Sequence, residues 1–142
     1  MHSDQRLRSV AERFARALDQ SDWKAAALLL HPKCRYNCRG SVVIGPTLLD
    51  GYRTTDEWVK STFDAVRYES RVEVEGGRVR IHFRDLIDHG DHHLDFSCQQ
   101  VLTIDDGGHI VSIEHVDLPG EVEKADAFNQ ACGVRRPSAH PS

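Results

Sequence analysis

The first forty-five residues show a helical pattern of apolar positions followed by a strand-like one. Apolar residues recur every three to four positions over residues 5–20, which is typical of an amphipathic helix. Ser21-Asp22 provides an N-cap for a second, strongly apolar helix over Trp23–Leu30, and Pro32 is expected to end it. The stretch CRYNCRGSVVIG then predicts two short strands joined at Arg39-Gly40.

A third helix is predicted after a loop over Pro46–Gly51. Thr54 followed by Glu57 fits a capping box, which would open this helix, and the helical pattern ends near Arg67. Its apolar face contains Trp58, Val59, Thr62, Phe63 and Val66.

From Tyr68 to Leu118 the apolar period becomes two, which predicts a meander of strands. A two-residue Gly76-Gly77 loop sets Val74 opposite Val79 and Glu73 opposite Arg80. One face of this hairpin is then apolar and the other carries opposite charges, whereas a one-residue slip would mix the two sets.

The stretch IDHGDHHLDF, residues 87–96, predicts the tip of the next hairpin. A two-residue His89-Gly90 loop places Arg84 opposite Asp95, and it also pairs Asp85 with Leu94 and Phe83 with Phe96. Both hairpins then bury the same face of their shared strand. His92 and His93 are neighbours on a strand and point to opposite faces, so we interpret this stretch as a turn rather than a metal site.

The last hairpin, around Asp106-Gly107, has two possible phases. A two- or four-residue loop, which we favour, puts Val111, Ile113, His115 and Asp117 on the inner face. A three-residue loop would instead put Ile110, Ser112, Glu114, Val116 and Leu118 there. A short helix over Glu121–Cys132, ended by Gly133, completes the pattern.

These elements predict an α+β domain in which three helices pack on one face of a curved, mostly antiparallel sheet. We expect a single domain over residues 1–134 and a flexible tail over 135–142.

Composition narrows the function classes. The chain has 142 residues and a net charge of −4 without a basic run, so we expect no nucleic-acid partner. It contains no apolar signal core and no segment able to span a bilayer, so we expect no membrane partner and a cytoplasmic location. Cys34, Cys38, Cys98 and Cys132 form no C-x-x-C pair, and we interpret them as free thiols rather than zinc ligands.

Three stretches in this order resemble a known family: SDWKAAALLLHPKCRY, GYRTTDEW and DDGGHIVSIEHVDLPG. Over roughly residues 5–120 the chain resembles the nuclear-transport-factor-2-like superfamily, especially its SnoaL-like branch. The resemblance implies a cone-shaped sheet wrapped around an internal pocket that the helices close. It also implies a homodimer through the outer sheet face, where Ile110, Val116 and Leu118 would form an apolar contact patch.

The family includes polyketide cyclases, ketosteroid isomerases, dehydratases, epoxide hydrolases and non-enzymatic modules, so the fold does not define the function. The position of the isomerase aspartate matches Tyr36-Asn37-Cys38 here, which has no carboxylate. The Asp-Arg-Asp set of the epoxide hydrolases is also not expected, because our register points Arg84 outward.

SnoaL-like cyclases use an acidic residue in the pocket to transfer protons, and Asp117 and Asp85 are the positions here that match this role, with His115 close to Asp117. The alternative is that both aspartates are solvated at strand ends. We predict ligand contacts from Tyr36, Trp58, Tyr68, Phe96, Cys98 and Gln100.

Two classes of function follow. The first is a cofactor-independent, metal-independent enzyme of the cyclase, isomerase or dehydratase type, acting on a small apolar molecule. The second is a non-catalytic ligand-binding or dimeric assembly module of the same fold.

Overall fold

The computed structural model describes residues 4–137 and has the predicted α+β class. The helices are α1 (Asp4–Asp19), α2 (Trp23–Leu28), α3 (Leu49–Thr62, after a 3-10 turn at Pro46–Leu48) and α4 (Glu121–Cys132). The strands are β1 (Leu30–Cys38), β2 (Ser41–Ile44), β3 (Ala65–Glu75), β4 (Arg78–His89), β5 (His92–Ile104) and β6 (Ile110–Asp117).

The six strands form one open, curved sheet in the order β2-β1-β6-β5-β4-β3. Neighbouring strands are antiparallel except β1 and β6, the first and last strands, which run parallel. The mostly antiparallel arrangement expected from the sequence is therefore confirmed.

The main core lies between α1 and the inner face of the sheet. The apolar stripe of α1 supplies Leu7 and Phe14, both almost fully buried, and the sheet supplies the equally buried Ile81, Leu102 and Ile113. A smaller apolar cluster, at the end of the sheet near the β4–β5 turn, consists of Val59, Phe63, Ile87, Leu94 and Phe128. The helical and period-two stripes read from the sequence thus meet in one interior.

The β3–β4 hairpin has the predicted register. Val74 pairs with Val79 and Glu73 pairs with Arg80 around the Gly76-Gly77 turn. The glycine φ angles of 54° and 86° are positive at both central positions, as a type I′ turn requires.

The β4–β5 hairpin differs from its predicted register by two residues. The turn is Gly90-Asp91, so Asp85 pairs with Phe96 and not with Leu94. The predicted pairs of Asp88 with Asp91, Arg84 with Asp95 and Phe83 with Phe96 are likewise wrong as directly opposed pairs. An even displacement keeps every side chain on its predicted face. Arg84 therefore still binds Asp95 diagonally, at 2.9 Å and 2.7 Å.

The last strand follows the favoured phase except near its start. Gln100 pairs with His115, which places Ile113, His115 and Asp117 on the inner face. An irregularity in the pairing after Thr103 changes the phase, so that Ile110 is fully buried and Val111 is not. The predictions of an inward Val111 and of Ile110 in an outer contact patch are therefore wrong.

Two helix boundaries also differ from the sequence prediction. α2 ends at Leu28 and Pro32 lies within β1, because Leu30 already pairs with Ile110 across the parallel strands. α3 begins at Leu49 after a turn with Pro46 at its start, so the Pro46–Gly51 loop and the Thr54–Glu57 capping box are wrong.

Other predictions at the chain ends and along α3 have mixed outcomes. α3 ends at Thr62, before the predicted Arg67, so Val66 belongs to β3. α4 and its terminating Gly133 are confirmed. Residues 135–137 belong to no helix or strand, and 138–142, the rest of the expected tail, lie outside the described residues.

Two further expectations concern cysteines and membranes. All four cysteines are free, with Cys34 and Cys38 buried and Cys98 and Cys132 half-buried. Within residues 4–137, the helices are too short or too polar to cross a bilayer.

Candidate functional site

A partly open cavity of about 160 Å³ lies against the inner face of the sheet and is bounded by residues of α1, α2 and α3. Cavities of about 150 Å³ hold a benzene-sized molecule in other proteins, so this space suits a small ligand. Its aromatic lining consists of Trp23, Tyr36, Tyr52, Tyr68, Phe83 and Phe96.

Most of the residues predicted for the site line this cavity, and two do not. The lining residues among them are Asp85, His115, Tyr36, Tyr68, Phe96, Cys98 and Gln100. Trp58 lies elsewhere, with its ring centroid 5.4 Å from that of Phe63 in the smaller apolar cluster. Asp117 is absent from the lining and contacts the site through His115.

Asp85 is on β4, directly opposite Tyr68 on β3 and Phe96 on β5. Among the described residues its carboxyl group has no hydrogen-bond partner, and the surface that it exposes faces the cavity. Burial raises the pKa of Asp85 to about 7, and the negative charges of Asp19 and Asp56 add to this, against the opposing effect of Arg136. Asp85 therefore exists in both protonation states near neutral pH.

Two more carboxylates lie on the Asp85 side of the cavity, on different helices. Asp56 on α3 accepts hydrogen bonds from the hydroxyl groups of Tyr68 and Ser21, each at 2.8 Å, and its oxygen lies 3.1 Å from the Lys60 ammonium. Asp19 at the end of α1 accepts a hydrogen bond from Ser70 at 2.8 Å, and burial raises its pKa.

A hydrogen-bonded chain lies farther along the sheet, at β6 and the turn after β1. Arg39 binds Asp117 with two bonds of 2.6 Å and 2.8 Å, and Asp117 lies 2.9 Å from Nε2 of His115. The Arg39 bond is the largest cause lowering the pKa of Asp117, whereas burial lowers the pKa of His115. Asp117 is thus an ionised group that orients a neutral imidazole at pH 7.

This chain continues into the cavity. Nδ1 of His115 lies 3.4 Å from the Gln100 amide nitrogen, and the Gln100 carbonyl accepts a 2.6 Å bond from the Tyr52 hydroxyl. Asp117 at Nε2 favours a proton on that nitrogen, so the lone pair of the neutral ring is at Nδ1.

Sequence reasoning missed Tyr52, Asp56, Asp19 and Arg39 as site residues. Tyr52 and Asp56 lie on one face of α3 with Val59, at helical spacing. The sequence prediction did not show this face, because it began the helix five residues too late. Asp19 and Arg39 reach the site from the end of α1 and from a turn, and no local pattern indicates that.

Neither a protein-family model nor a curated protein matches the chain. Several solved structures do match the chain. An LEH-like epoxide hydrolase from M. tuberculosis is 20% identical with a TM-score of 0.63, over 89% of this chain and 94% of that one. A putative polyketide cyclase from Xanthomonas campestris is 15% identical with a TM-score of 0.63, over 85% and 96%. An NTF2-like protein from Cytophaga hutchinsonii is 14% identical with a TM-score of 0.61, over 82% and 94%.

The chain has the nuclear-transport-factor-2-like fold. The fold implied by the sequence resemblance is confirmed, while identities this low establish the fold alone. The stretch Tyr36-Asn37-Cys38 lies on β1 without a carboxylate, and Arg84 points outward to Asp95.

Proposed function

We propose that this protein is an acid/base enzyme of the cyclase, isomerase or dehydratase type, acting on a small molecule with an apolar body. One observation carries the proposal: the Asp85 carboxyl group, which has no hydrogen-bond partner among residues 4–137, lines a cavity rich in aromatic rings. A carboxyl with a pKa of about 7 can both remove and return a proton at neutral pH.

In this proposal His115 is the second proton-transfer group and Asp117 positions it. The carboxylate of Asp117 is occupied by Arg39 and by His115 itself, so it is a poor base but a good orienting group. Neutral His115 offers its Nδ1 lone pair on the cavity side, next to Gln100. The three residues proposed as catalytic from the sequence thus have separate roles.

The remaining cavity residues would bind the ligand. Tyr36, Tyr68 and Phe96 offer aromatic contacts, and Gln100 offers an amide. Burial raises the pKa of Cys98 to about 12, so its thiol stays protonated and is a contact rather than a nucleophile. Proton transfer between these groups and a ligand requires no cofactor.

A non-catalytic ligand-binding or dimeric assembly module is the second candidate. It is favoured by the hydrogen bonds that His115 and Gln100 already make within the protein, which a substrate would have to compete with. The homodimer and the cytoplasmic location expected from the sequence stay predictions.

The test of the first candidate has two parts. Carbon-13 NMR of the labelled aspartates should give Asp85 a pKa near 7, and a value below about 5 would overturn the acid/base role. Acetophenone in heavy water then reports proton abstraction, because its methyl protons exchange for deuterium when a base removes them.

We expect the wild-type protein to accelerate this exchange and Asp85→Asn to reduce the acceleration about 100-fold or more. Asp91→Asn, in the exposed β4–β5 turn, is the control for loss of one negative charge. A saturable complex with acetophenone that produces no exchange would overturn catalysis and favour the binding module.

A further inference from the structure

We propose that the natural ligand of this cavity carries a cationic ammonium group, which binds between the Asp85 carboxylate and the rings of Tyr68 and Phe96. This inference rests on the proposed function, because it names the chemical class of the ligand that the same cavity takes. The observation behind it is the row that these three residues form across β3, β4 and β5.

The register places an aromatic ring on each side of the carboxyl group. Tyr68 and Phe96 are the residues directly opposite Asp85 on its two neighbouring strands, and all three line the cavity. Directly opposite residues have Cβ atoms about 4.5–5.5 Å apart. A cation in contact with the carboxylate would therefore also lie near both rings, whose π-systems attract cations.

The charges around Asp85 favour a cation. Asp19 and Asp56 line the same cavity as Asp85, and their negative charges raise the pKa of Asp85. Asp56 is neutralised by Lys60, whereas the neutral Ser70 hydroxyl is the hydrogen-bond donor to Asp19. Arg136 also lines the cavity and offsets Asp19, so among the described residues the excess negative charge on this side of the cavity is that of the ionised Asp85 itself.

The protein already binds one ammonium group in this way with its own side chain. The Lys60 nitrogen lies 3.1 Å from an Asp56 oxygen and 5.8 Å from the centroid of the Tyr68 ring. The same ring lies opposite Asp85 in the register. A ligand ammonium at Asp85 would repeat the arrangement of carboxylate and aromatic ring on the cavity side.

The β1–β6 side of the cavity offers less to an anion. The Arg39 guanidinium makes two bonds to Asp117, at 2.6 Å and 2.8 Å, so an anionic ligand would have to displace a carboxylate already in place. The cavity of about 160 Å³ also limits the ligand to a small amine, about one ring with its ammonium group.

The test compares three probes of similar size by calorimetry at pH 8. Benzyltrimethylammonium is a permanent cation, neopentylbenzene is its neutral isostere, and phenylacetate is an anion. We expect the cation to bind at least 10-fold more tightly than either of the others. Asp85→Asn should remove that preference and leave the neutral probe unchanged, while Asp91→Asn, in the exposed turn, should behave as wild type.

The pH profile provides a check that needs no variant. The cation does not titrate, so any pH dependence of its affinity comes from Asp85 and the groups that face it. These groups are Asp19, Asp56, Tyr68, Cys98 and Arg136. Ionisation of Asp85 should strengthen binding as the pH rises from 6 to 8, by about 10-fold, with a plateau above. This profile keeps the test valid if Asp85→Asn does not fold.

The outcomes separate the two proposals. Equal or tighter binding of neopentylbenzene or of phenylacetate overturns the cationic ligand and leaves the small-molecule pocket standing. An affinity for the cation that stays constant while Asp85, followed by carbon-13 NMR, loses its proton also overturns it. No binding of any probe at millimolar concentration overturns the pocket function itself, and the inference with it.

Discussion

At the scale of single residues, the defining feature is the half-buried Asp85 carboxyl group, which has no hydrogen-bond partner in the part of the chain that the structure describes. The period-two pattern predicted that Asp85 points inward, and it does. Its surroundings were not predictable, because Asp19, Asp56 and Arg136 come from distant parts of the chain. A buried, unpaired carboxylate is destabilising when ionised, and such groups are typical of functional sites.

The raised pKa of Asp85 makes a prediction about stability. Above pH 4 the unfolded chain ionises this group, while the folded chain keeps its proton up to about pH 7. The contribution of Asp85 to wild-type stability should therefore fall as the pH rises from 4 to 7 and then level off. Asp85→Asn lacks this loss, so between pH 4 and pH 8 the variant should gain roughly 2–4 kcal/mol relative to wild type.

Urea unfolding of both proteins at the two pH values measures the difference. Other titrating groups cancel, because they are common to wild type and variant. A stability difference that is the same at pH 4 and pH 8 would show that Asp85 has an ordinary pKa.

At the scale of elements, the sequence predicted which side of the sheet each strand residue faces better than which residue it pairs with on the next strand. The β4–β5 register was displaced by two residues, because the hairpin turns at Gly90-Asp91 and not at His89-Gly90. Both turns are compatible with the same alternation, so local pattern leaves them equivalent. Residues 87–96 are confirmed as a hairpin tip, in which Leu94 is core and Asp95 binds Arg84.

Gly90 explains why the turn forms where it does. Its φ of +58° at the first central position suits glycine and strains other residues. We expect Gly90→Ala to lower the free energy of unfolding by about 1–2 kcal/mol in urea titrations. Gly107→Ala is the matched control, because Gly107 is not among the glycines with positive φ and an added Cβ there meets its nearest atoms at 3.4 Å. Equal losses in the two variants would contradict this explanation.

At the scale of the whole molecule, the outer face of the sheet is the surface on which the sequence predicts a dimer contact. Much of it is polar or charged, with the Arg84–Asp95 ion pair and a 2.9 Å contact between His82 and Glu73. Val116 and Leu118 are half-buried residues of the predicted patch, from which Ile110 is excluded by its burial. The patch is therefore smaller than the sequence indicated.

The predicted homodimer makes a direct test of this face. Sedimentation velocity at micromolar concentration should show a dimer, and Val116→Glu should convert it to a monomer because a charge is costly to bury at an apolar contact. Ile44→Glu, at an exposed apolar residue of the edge strand β2, should leave the dimer intact. A wild-type monomer, or a dimer lost only in Ile44→Glu, would refute the contact.

The sequence by itself determined which residues face inward along most elements, since periods of 3.6 and 2 follow from the geometry of the single chain. It therefore predicted the first hairpin, the final helix and the inward Asp85 and His115. Only the tertiary structure decided that β1 pairs in parallel with β6, that Ile110 is buried, and that α1 and α3 bring Asp19 and Asp56 to Asp85. These are contacts between distant segments, whose free energy depends on packing that no local pattern encodes.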